Sequence, residues 1–366
     1  MELCDLAPGY IRAIAPYQPG KPIAELAREM GLDAATIVKL ASNENPLGPS
    51  PLALQAIQAC LPELARYPDG NGFALKAALA KQYRVEATQI VLGNGSNDVL
   101  EFAARAFLKP GDSAVYSRHA FAVYPLVVQA VGARGIEVPA KDFGNDPHAL
   151  LQAIEVDTRL LFIANPNNPT GTLIAPDELL ALIEQVPSNV LVLLDEAYYE
   201  YLAPPVAPKS ISWLVRFPNL LIARTFSKAY GLAGLRVGFG LAHADVIGML
   251  NRVRQPFNVS SVAQVAAVAA LGDTAHLQRS VALNSAGMQQ ICSGLKRLGL
   301  SFIPSYGNFV SFRIGSATAM YQRLLQRGVI VRPVASYAMP EYLRVSIGLE
   351  TENEKFLSAL ASAMQE

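Results

Sequence analysis

Short apolar runs alternate with amphipathic segments through the middle of the chain, from about residue 89 to residue 254. The runs are rich in leucine and β-branched residues, and the segments between them carry apolar residues at helical spacing. The run at 190–194 is apolar without alternation, which indicates a strand buried on both faces. The pattern therefore predicts an α/β domain with a mostly parallel sheet between helices. Its strands are predicted at residues 89–92, 113–116, 135–138, 160–164, 190–194, 220–223 and 235–240.

The pattern changes after about residue 254, where a smaller unit is predicted. Residues 259–298 have the spacing of a long helix with one break near Gly272 and Asp273. Shorter elements follow, with strands predicted at 309–313, 329–332 and 343–347 and helices at 317–326 and 352–364. We therefore expect an N-terminal arm at 1–30 that packs with the small domain or a dimer partner, a large domain at 31–255 and a small α+β domain at 256–366.

The charge balance excludes several classes of partner. Thirty Lys and Arg residues match thirty Asp and Glu residues, so no net field attracts nucleic acid or an anionic membrane. The N-terminal segment is interrupted by Asp5, Pro8 and Arg12 and does not match a secretory signal. The longest apolar segment, at 262–271, is much shorter than the roughly 20 residues that cross a bilayer. We expect a cytoplasmic protein.

Cysteine and histidine spacing gives no sign of a metal site. The three cysteines lie far apart, which suits a reducing compartment better than a disulfide framework. The histidines are equally isolated in the sequence, so no metal ligand set is predicted. These residues are Cys4, Cys60, Cys292, His119, His148, His243 and His276.

The segment that begins at Arg224 carries the clearest candidate chemistry. Lys228 comes soon after a predicted strand, beside Ser227 and Gly231. Burial there would lower the pKa of its amine, and a neutral lysine amine can form a Schiff base with an aldehyde. Arg236 lies further along the same loop, where its guanidinium can hold a phosphate. Taken alone, the segment is equally compatible with a surface loop that carries two exposed cations.

Two further strands lead into polar residues at the same predicted edge of the sheet. Asp195 follows the run at 190–194, and Asn168 lies in a proline-rich loop after the strand at 160–164. A carboxylate at the tip of a buried strand lies where open α/β sheets bind ligands, although aspartate is also a frequent helix N-cap. We expect Asp195, Asn168 and Lys228 to converge at one edge.

The turn at 93–97 opens a helix immediately after a strand, with Ser96 as its predicted N-cap. Unpaired backbone N–H groups and the positive end of a helix dipole would suit an anion there. The turn lacks the glycine pattern of a dinucleotide fingerprint and the Lys-Ser/Thr ending of a nucleoside-triphosphate loop. A single phosphate group is the ligand that fits this pattern.

Together these features match the needs of pyridoxal 5'-phosphate, which requires an imine-forming lysine, an acid partner for its ring nitrogen and a phosphate cradle. The chain resembles the fold type I, aspartate-aminotransferase-like pyridoxal phosphate enzymes, and within them it looks like the histidinol-phosphate aminotransferases. The resemblance covers roughly residues 10–350. It rests on APYQ at 15–18, LASNENPLG at 40–48, RYPDG at 66–70, NPTG at 168–171, DEAY at 195–198, SK at 227–228 and LRVSIG at 343–348.

The resemblance implies a role for each site residue. Lys228 would hold the cofactor as a covalent imine and act as acid and base in turn, and Asp195 would keep the ring nitrogen protonated. Tyr198 and Asn168 would hydrogen-bond the phenolic oxygen, and Phe121 would stack on the ring. The cofactor phosphate would be bound by Gly95, Ser96, Asn97, Ser227 and Arg236, with Tyr67 reaching over from the other subunit of a homodimer.

The substrates also follow from the resemblance. Arg344 lies in an otherwise apolar predicted strand, where an unpaired charge is costly, so we expect it to meet an anion. The resemblance implies that Arg344 binds the α-carboxylate of glutamate and, with Arg332, Tyr17 and Asn168, the phosphate of histidinol phosphate. The implied reaction is transamination of L-histidinol phosphate with 2-oxoglutarate to imidazole-acetol phosphate and L-glutamate, a step of histidine biosynthesis.

Three alternatives share this scaffold. An aminotransferase for phenylalanine or tyrosine differs in few contacts of the side-chain slot. A threonine-phosphate decarboxylase uses a similar lysine, aspartate and arginine set but releases CO₂. A non-catalytic cofactor-binding sensor domain needs an attached DNA-binding module, and the roughly 30 residues before the main body carry no basic helix-turn-helix pattern.

Overall fold

The structure is a computed structural model that describes residues 3–366. Its helices are α1 (Gly9–Arg12), α2 (Ile23–Met30), α3 (Pro51–Cys60), α4 (Phe73–Tyr83), α5 (Ser96–Phe107), α6 (Val123–Ala130), α7 (Pro147–Gln152), α8 (Pro176–Gln185), α9 (Ser210–Trp213), α10 (Ala244–Val253), α11 (Ser261–Gly272), α12 (Thr274–Arg297), α13 (Ala317–Gln326) and α14 (Glu350–Ala363). Its strands are β1 (Val38–Lys39), β2 (Ile90–Gly93), β3 (Ser113–Ser117), β4 (Arg134–Val138), β5 (Thr158–Ala164), β6 (Leu191–Asp195), β7 (Leu220–Thr225), β8 (Gly238–Ala242), β9 (Phe309–Arg313), β10 (Val329–Ile330), β11 (Arg332–Pro333) and β12 (Tyr342–Ser346).

Seven strands form the main sheet, in the order β2-β8-β7-β6-β5-β3-β4. Only β8 runs antiparallel to its neighbours, and the other neighbouring pairs are parallel. The carboxyl ends of β3, β5, β6 and β7 therefore share one edge. The carboxyl end of β2 lies at the same edge. Strand β8 lies between β2 and β7 and is antiparallel to both, so β2 and β7 run in the same direction. The prediction of a mostly parallel sheet is confirmed.

Helices cover both faces of this sheet, which explains why most of its strands, unlike the edge strand β4, do not alternate polar with apolar residues. Leu194 belongs to one core cluster and Leu193 to another, as expected when successive side chains point to opposite faces. The first cluster includes residues of α8 and α11, and the second includes residues of α5. Every residue of β6 and β7 is buried, so the polar residues at their ends are held on a rigid support.

The smaller unit is built on a three-stranded antiparallel sheet in the order β11-β12-β9. Its core contains Phe312 and Val345 from the sheet together with Ile291, Leu324 and Phe356 from α12, α13 and α14. The short strand β1 pairs in parallel with β10 and ties the segment before α3 to this unit. This unit packs against the edge of the main sheet where the parallel strands end.

Two segments pack outside the domain that the sequence predicts for them. Ala263 and Ala266 of α11 lie in the core of the main sheet, whereas the sequence pattern predicts residues 256–366 as the small domain. Leu40 lies in the core of the smaller unit, whereas the pattern predicts residues 31–255 as the large domain. Packing decides membership here, because α11 is apolar on most of its surface and β1 needs β10 for its hydrogen bonds. We propose a boundary near Gly272 and a small unit that includes residues 37–41.

The N-terminal arm runs along the junction of the two units. The Tyr10 carbonyl accepts a hydrogen bond from Gln129 Nε2 at 3.1 Å, and the Gln18 carbonyl accepts one from Arg332 Nη2 at 2.7 Å. Further along, Leu26 is buried with residues of the smaller unit. No helix within residues 3–366 combines the length and apolarity that crossing a bilayer requires.

Candidate active site

A cavity of ≈ 210 Å³ lies where the parallel strands end and the smaller unit closes over them. It brings together most of the residues that the sequence singles out, from both units and from the arm. Of the predicted site residues, its wall contains Tyr17, Ser96, Asn97, Phe121, Asn168, Asp195, Tyr198, Ser227, Lys228, Arg236, Arg332 and Arg344. Gly95 and Tyr67 are not part of this wall.

Lys228 enters the cavity from the loop after β7. Its Nζ donates a hydrogen bond to the Ser42 carbonyl at 3.2 Å and lies 5.7 Å from the centre of the Tyr198 ring. Burial, aided by repulsion from Arg344, lowers the pKa of Lys228 to about 8. An amine with that pKa is a usable nucleophile and base near neutral pH. The turn that follows needs Gly231, whose φ is 70°, because a Cβ there would collide with the Gly48 carbonyl.

Asp195 ends β6 at the floor of the cavity. Its Oδ2 accepts a hydrogen bond from the Tyr124 hydroxyl at 2.9 Å, and its Oδ1 accepts one from the Ala197 N–H at 3.1 Å. Burial raises the pKa of Asp195 to about 6, and these two hydrogen bonds oppose the rise. Any cation that enters the cavity beside Asp195 would stabilise the ionised form of this carboxylate.

Tyr198 lies three residues after Asp195 and is buried. Its hydroxyl oxygen accepts a hydrogen bond from Asn43 Nδ2 at 2.9 Å. Burial raises the pKa of Tyr198 to about 12, so the phenol keeps its proton at any physiological pH. Its ring packs edge-on against Phe309 of β9, with the ring centres 5.2 Å apart.

Arg344 is a buried guanidinium in the wall contributed by the smaller unit. Its Nη1 donates a hydrogen bond to Asn168 Oδ1 at 2.6 Å, and its Nη2 donates one to the Ala41 carbonyl at 2.7 Å. Its Nε has no hydrogen-bond partner among residues 3–366. A buried cation in a cavity wall is suited to an anionic ligand.

Arg332 supplies a second positive charge beside Arg344. The two residues are register partners across the β11–β12 ladder, which puts both side chains on one face of the sheet. The Arg332 guanidinium lies 5.6 Å from the centre of the Tyr17 ring, so the arm covers it. The arrangement offers two cations to a ligand that carries a phosphate or carboxylate.

The turn after β2 supplies an anion site in the part of the cavity wall formed by the main-sheet unit. Helix α5 begins at Ser96 with Gly95 at the N-cap and no side-chain cap, so the prediction of Ser96 as N-cap is wrong by one residue. The non-helical backbone of Gly95, with φ 83°, makes it the N-cap, and a Cβ there would collide with the Arg236 guanidinium. The first N–H groups of α5 are left available to a ligand. Arg236 Nη1 also donates to Ser227 Oγ at 3.3 Å.

Phe121 and Tyr67 differ in their relation to the cavity. Phe121 lines it and meets Tyr124 edge-on, with the ring centres 5.9 Å apart. Tyr67 is 83% exposed, stacks on Phe257 at 4.8 Å and does not reach the cavity of its own chain.

Sequence reasoning missed two residues with direct contacts to the site. Tyr124 donates to Asp195, but a tyrosine near the start of an apolar helix carries no signal for that contact. Asn43 donates to Tyr198 and lies within the LASNENPLG segment. Nothing in the sequence distinguishes it from the other polar residues of that segment. Both contacts depend on pairings between residues far apart in the sequence.

The residues present fit pyridoxal 5'-phosphate. An amine with a lowered pKa and a buried carboxylate line the same cavity, as an aldehyde and a ring nitrogen on one cofactor require. The uncapped turn at Gly95, with Arg236 and Ser227 beside it, has the donors that a phosphate needs. Arg344 and Arg332 in the wall of the same cavity supply positive charge for a further anion.

Comparison with known proteins gives relatives over the full chain. A family model described as "Aminotransferase class I and II" matches residues 35–360. A histidinol-phosphate aminotransferase of Nitrosospira multiformis is 63% identical over 366 residues, which is 100% of this chain and 93% of that protein. One of Methylobacillus flagellatus is 63% identical over 99% of this chain and 98% of its own length.

The fold has close counterparts among solved structures. The crystal structure of histidinol-phosphate aminotransferase from Sinorhizobium meliloti in complex with pyridoxal-5'-phosphate is similar with a TM-score of 0.90 and 29% identity, covering 98% of this chain and 97% of that one. An aspartate aminotransferase of Thermus thermophilus with maleate shares the fold, with a TM-score of 0.83, 22% identity and coverage of 97% and 98%. The expected fold type I architecture is confirmed. The chain thus belongs to the class I and II aminotransferases, and within them to the histidinol-phosphate aminotransferases.

Proposed function

We propose that this chain uses pyridoxal 5'-phosphate to transfer the amino group of L-histidinol phosphate to 2-oxoglutarate, which yields imidazole-acetol phosphate and L-glutamate in histidine biosynthesis. The observation that carries the proposal is that one cavity contains Lys228, Asp195 and the buried Arg344. The relatives at 63% identity carry the name of this activity. Free cysteines support a reducing cytoplasm as the compartment.

The bound cofactor supplies an electron-withdrawing ring that stabilises negative charge at a neighbouring substrate carbon. Lys228 would join the cofactor and, once released by substrate, carry a proton at Nζ, a role that its lowered pKa favours. Asp195 would hold a proton on the ring nitrogen, because an ionised carboxylate in a desolvated site favours a cation beside it. Tyr198 and Asn168 would hydrogen-bond the phenolic oxygen, and Phe121 would stack on the ring.

The phosphate of the cofactor would lie at the turn after β2. Backbone N–H groups at the start of α5 and the Arg236 guanidinium supply charge-assisted hydrogen bonds there. These groups would hold the phosphate end of the cofactor, while Asp195 would hold the ring nitrogen and Lys228 would bind the aldehyde. The cofactor-phosphate set that we propose is Gly95, Ser96, Asn97, Ser227 and Arg236, with Tyr67 from the partner subunit.

Substrate anions would bind at the wall formed by the smaller unit. Arg344 would bind the α-carboxylate of glutamate through its guanidinium, which lies in the cavity wall. In the other half-reaction Arg344 would bind the phosphate of histidinol phosphate together with Arg332, Tyr17 and Asn168. A pair of neighbouring cations can serve both anions, which differ in shape but not in sign.

The proposal includes a homodimer. Tyr67 cannot act on the cavity of its own chain, because it does not line it, so a phosphate contact from Tyr67 requires a second subunit. Exposed apolar side chains occur in the same part of the chain, including Phe73 at 77% exposure and Leu64 at 52%. Apolar patches of this kind mark protein interfaces.

Substitution of Arg344 tests the function. We expect the purified protein to form glutamate from histidinol phosphate and 2-oxoglutarate without CO₂ release, and at a higher kcat/KM than from phenylalanine. Arg344→Ala should lower kcat/KM for both glutamate and histidinol phosphate by about a hundredfold, because each anion loses a charge-assisted pair. Arg313→Ala is the matched control, since Arg313 lies on the neighbouring strand β9 and pairs with Glu341 at the surface.

Three outcomes would contradict the proposal. CO₂ release would identify a decarboxylase, and preference for phenylalanine would identify an aromatic aminotransferase. An Arg344→Ala enzyme that keeps full activity towards either anion would remove the shared anion site.

A further inference from the structure

A chain of hydrogen bonds joins the smaller unit to Tyr198 through Asn43. Ser346, at the end of β12, accepts a hydrogen bond on Oγ from the Asn43 backbone N–H at 2.8 Å. The Ser346 hydroxyl then donates to Asn43 Oδ1 at 3.1 Å, and Asn43 Nδ2 donates to the Tyr198 hydroxyl oxygen at 2.9 Å. All three residues are at least nine-tenths buried, so water does not compete for these bonds.

The chain has a defined direction. The Asn43 backbone N–H can only donate, which makes Ser346 Oγ an acceptor at one end and leaves its hydrogen for Asn43 Oδ1. If the Asn43 amide were reversed, Ser346 would accept two hydrogen bonds and its own hydrogen would have no acceptor among residues 3–366. A buried hydroxyl without an acceptor costs free energy, so the observed orientation is the stable one.

Asn43 is held in place by its backbone as well as by its side chain. Its φ is 53°, in the left-handed region that asparagine and aspartate tolerate better than other non-glycine residues. Its carbonyl accepts a hydrogen bond from Asn308 Nδ2 at 3.0 Å. The amide therefore presents its N–H to Tyr198 in a fixed position.

The Tyr198 hydrogen is the free end of the chain. The hydroxyl oxygen accepts from Asn43, and no residue of the described range 3–366 accepts the Tyr198 hydrogen. Tyr198 lines the cavity, and its high pKa keeps that hydrogen in place. The remaining donor is thus available to an acceptor atom of a ligand in the cavity.

We propose that Asn43 and Ser346 are positioning residues that fix Tyr198 as a hydrogen-bond donor towards the phenolic oxygen of the cofactor. The Tyr198 hydroxyl oxygen already accepts a hydrogen bond from Asn43, so towards a ligand the hydroxyl acts as a donor through its hydrogen. The phenolic oxygen of pyridoxal 5'-phosphate is a strong acceptor, and this polarity matches it. This inference rests on the proposed function, because it assumes that cofactor in this cavity.

The test compares two ligands that differ in one atom. Apoenzyme is titrated calorimetrically with pyridoxal 5'-phosphate and with 3-deoxypyridoxal 5'-phosphate, which lacks the phenolic oxygen, and the ratio of the two Kd values is the readout. Asn43→Asp keeps the size and backbone preference of the residue but turns the donor into an acceptor, so the Tyr198 hydrogen is drawn away from the ligand. We expect this variant to reduce the preference for pyridoxal 5'-phosphate by about tenfold. Ser346→Ala, which frees the amide to reverse, should reduce it by a smaller factor.

Two controls separate positioning from other effects. Asn284→Asp changes another buried asparagine, which donates to the Gly307 carbonyl outside the cavity, and should leave the ratio unchanged even if it lowers stability. In a Tyr198→Phe background Asn43→Asp should no longer change the ratio, because its effect passes through the Tyr198 hydroxyl. A direct repulsion between the introduced carboxylate and the phenolic oxygen would persist in that background.

The outcomes are distinct. A ratio that falls in Asn43→Asp only when Tyr198 is present supports the proposal. If the Asn43 variant weakens both ligands equally, or if the ratio still falls in Tyr198→Phe, the proposal is overturned while the proposed function stands. If the unsubstituted chain does not bind pyridoxal 5'-phosphate, the proposed function itself fails.

Discussion

Asp195 and Lys228 have pKa values that move towards each other because both side chains are buried at one sheet edge. Burial raises the pKa of Asp195 to about 6 and lowers that of Lys228 to about 8. Each shift disfavours the charged form, so the cavity favours a ligand that restores a charge partner to Asp195. A protonated ring nitrogen would do so, and it would lower the pKa of Asp195 again.

Tyr124 should determine the acid limit of activity. Its hydroxyl donates to Asp195 and stabilises the ionised carboxylate, so Tyr124→Phe should raise the pKa of Asp195 by about 0.5 to 1 unit. Since Asp195 acts only when ionised, activity is lost as the pH falls through the pKa that Asp195 has in the holoenzyme, and raising that pKa should move the acid limb of kcat/KM to higher pH. The alkaline limb should stay in place. A pH–rate profile checks this, and an unshifted acid limb would show that Tyr124 has only a packing role.

At the residue scale, the sequence predicts which side chains meet only where a side chain follows closely after the end of a strand. Lys228, Asp195 and Asn168 follow predicted strands closely, so their convergence followed from the shared edge of a parallel sheet. Tyr124 and Asn43 lie in a helix and an irregular segment, and their partners are 71 and 155 residues away in the sequence. No local pattern encodes contacts of that range.

The element that depends most on a single residue is the turn between β2 and α5. Gly95 combines a left-handed backbone with close approach to Arg236. Gly95→Ala should push the Arg236 guanidinium out of the phosphate site and weaken binding of pyridoxal 5'-phosphate by at least about tenfold. Gly234→Ala in the same loop as Arg236 is the control, since a Cβ there meets nothing within 4 Å. Calorimetric titration of both apoenzymes measures the effect, and equal affinities would contradict the assigned role of the turn.

The positions of most helices and strands could be predicted from the periodicity of hydrophobic residues and from the glycine and proline residues that break the pattern. The break in the long helix lies where the sequence predicts it, with α11 ending at Gly272 and α12 beginning at Thr274. The strand predicted at 235–240 instead begins at Gly238, because Arg236 has φ 54° and belongs to the preceding loop. The antiparallel direction of β8 was not encoded locally, since it depends on which neighbours the strand finds in the sheet.

The whole molecule carries an apolar surface that a single chain leaves uncovered. Phe73 at 77% exposure and the Tyr67–Phe257 stack belong to it. Phe73→Glu should dissociate the proposed homodimer and remove activity, because each active site would lose the Tyr67 of its partner. Val156→Glu is the control, since Val156 is 92% exposed but lies elsewhere in the sequence and in the fold. Sedimentation velocity measures the assembly, and a fully active monomer would contradict the shared site.

Domain membership at this scale depends on contacts between residues that lie far apart in the sequence. Residues 37–41 join the smaller unit through the pairing of β1 with β10, strands that lie at opposite ends of the sequence. Helix α11 joins the main core because its small side chains allow close packing on α3 and the sheet. Composition alone does not show which unit residues 37–41 or α11 will pack against. The boundaries predicted at 30 and 255 therefore follow the change in the hydrophobic pattern along the chain and not the packing.

The central claim is that Lys228 is the residue that binds the cofactor. Borohydride reduction of the yellow holoenzyme, followed by peptide mass spectrometry, tests it most directly. We predict that the reduced pyridoxyl phosphate adduct lies on Lys228 and that Lys228→Ala yields none. A stoichiometric adduct on any other lysine, or an adduct that survives in Lys228→Ala, would contradict the account.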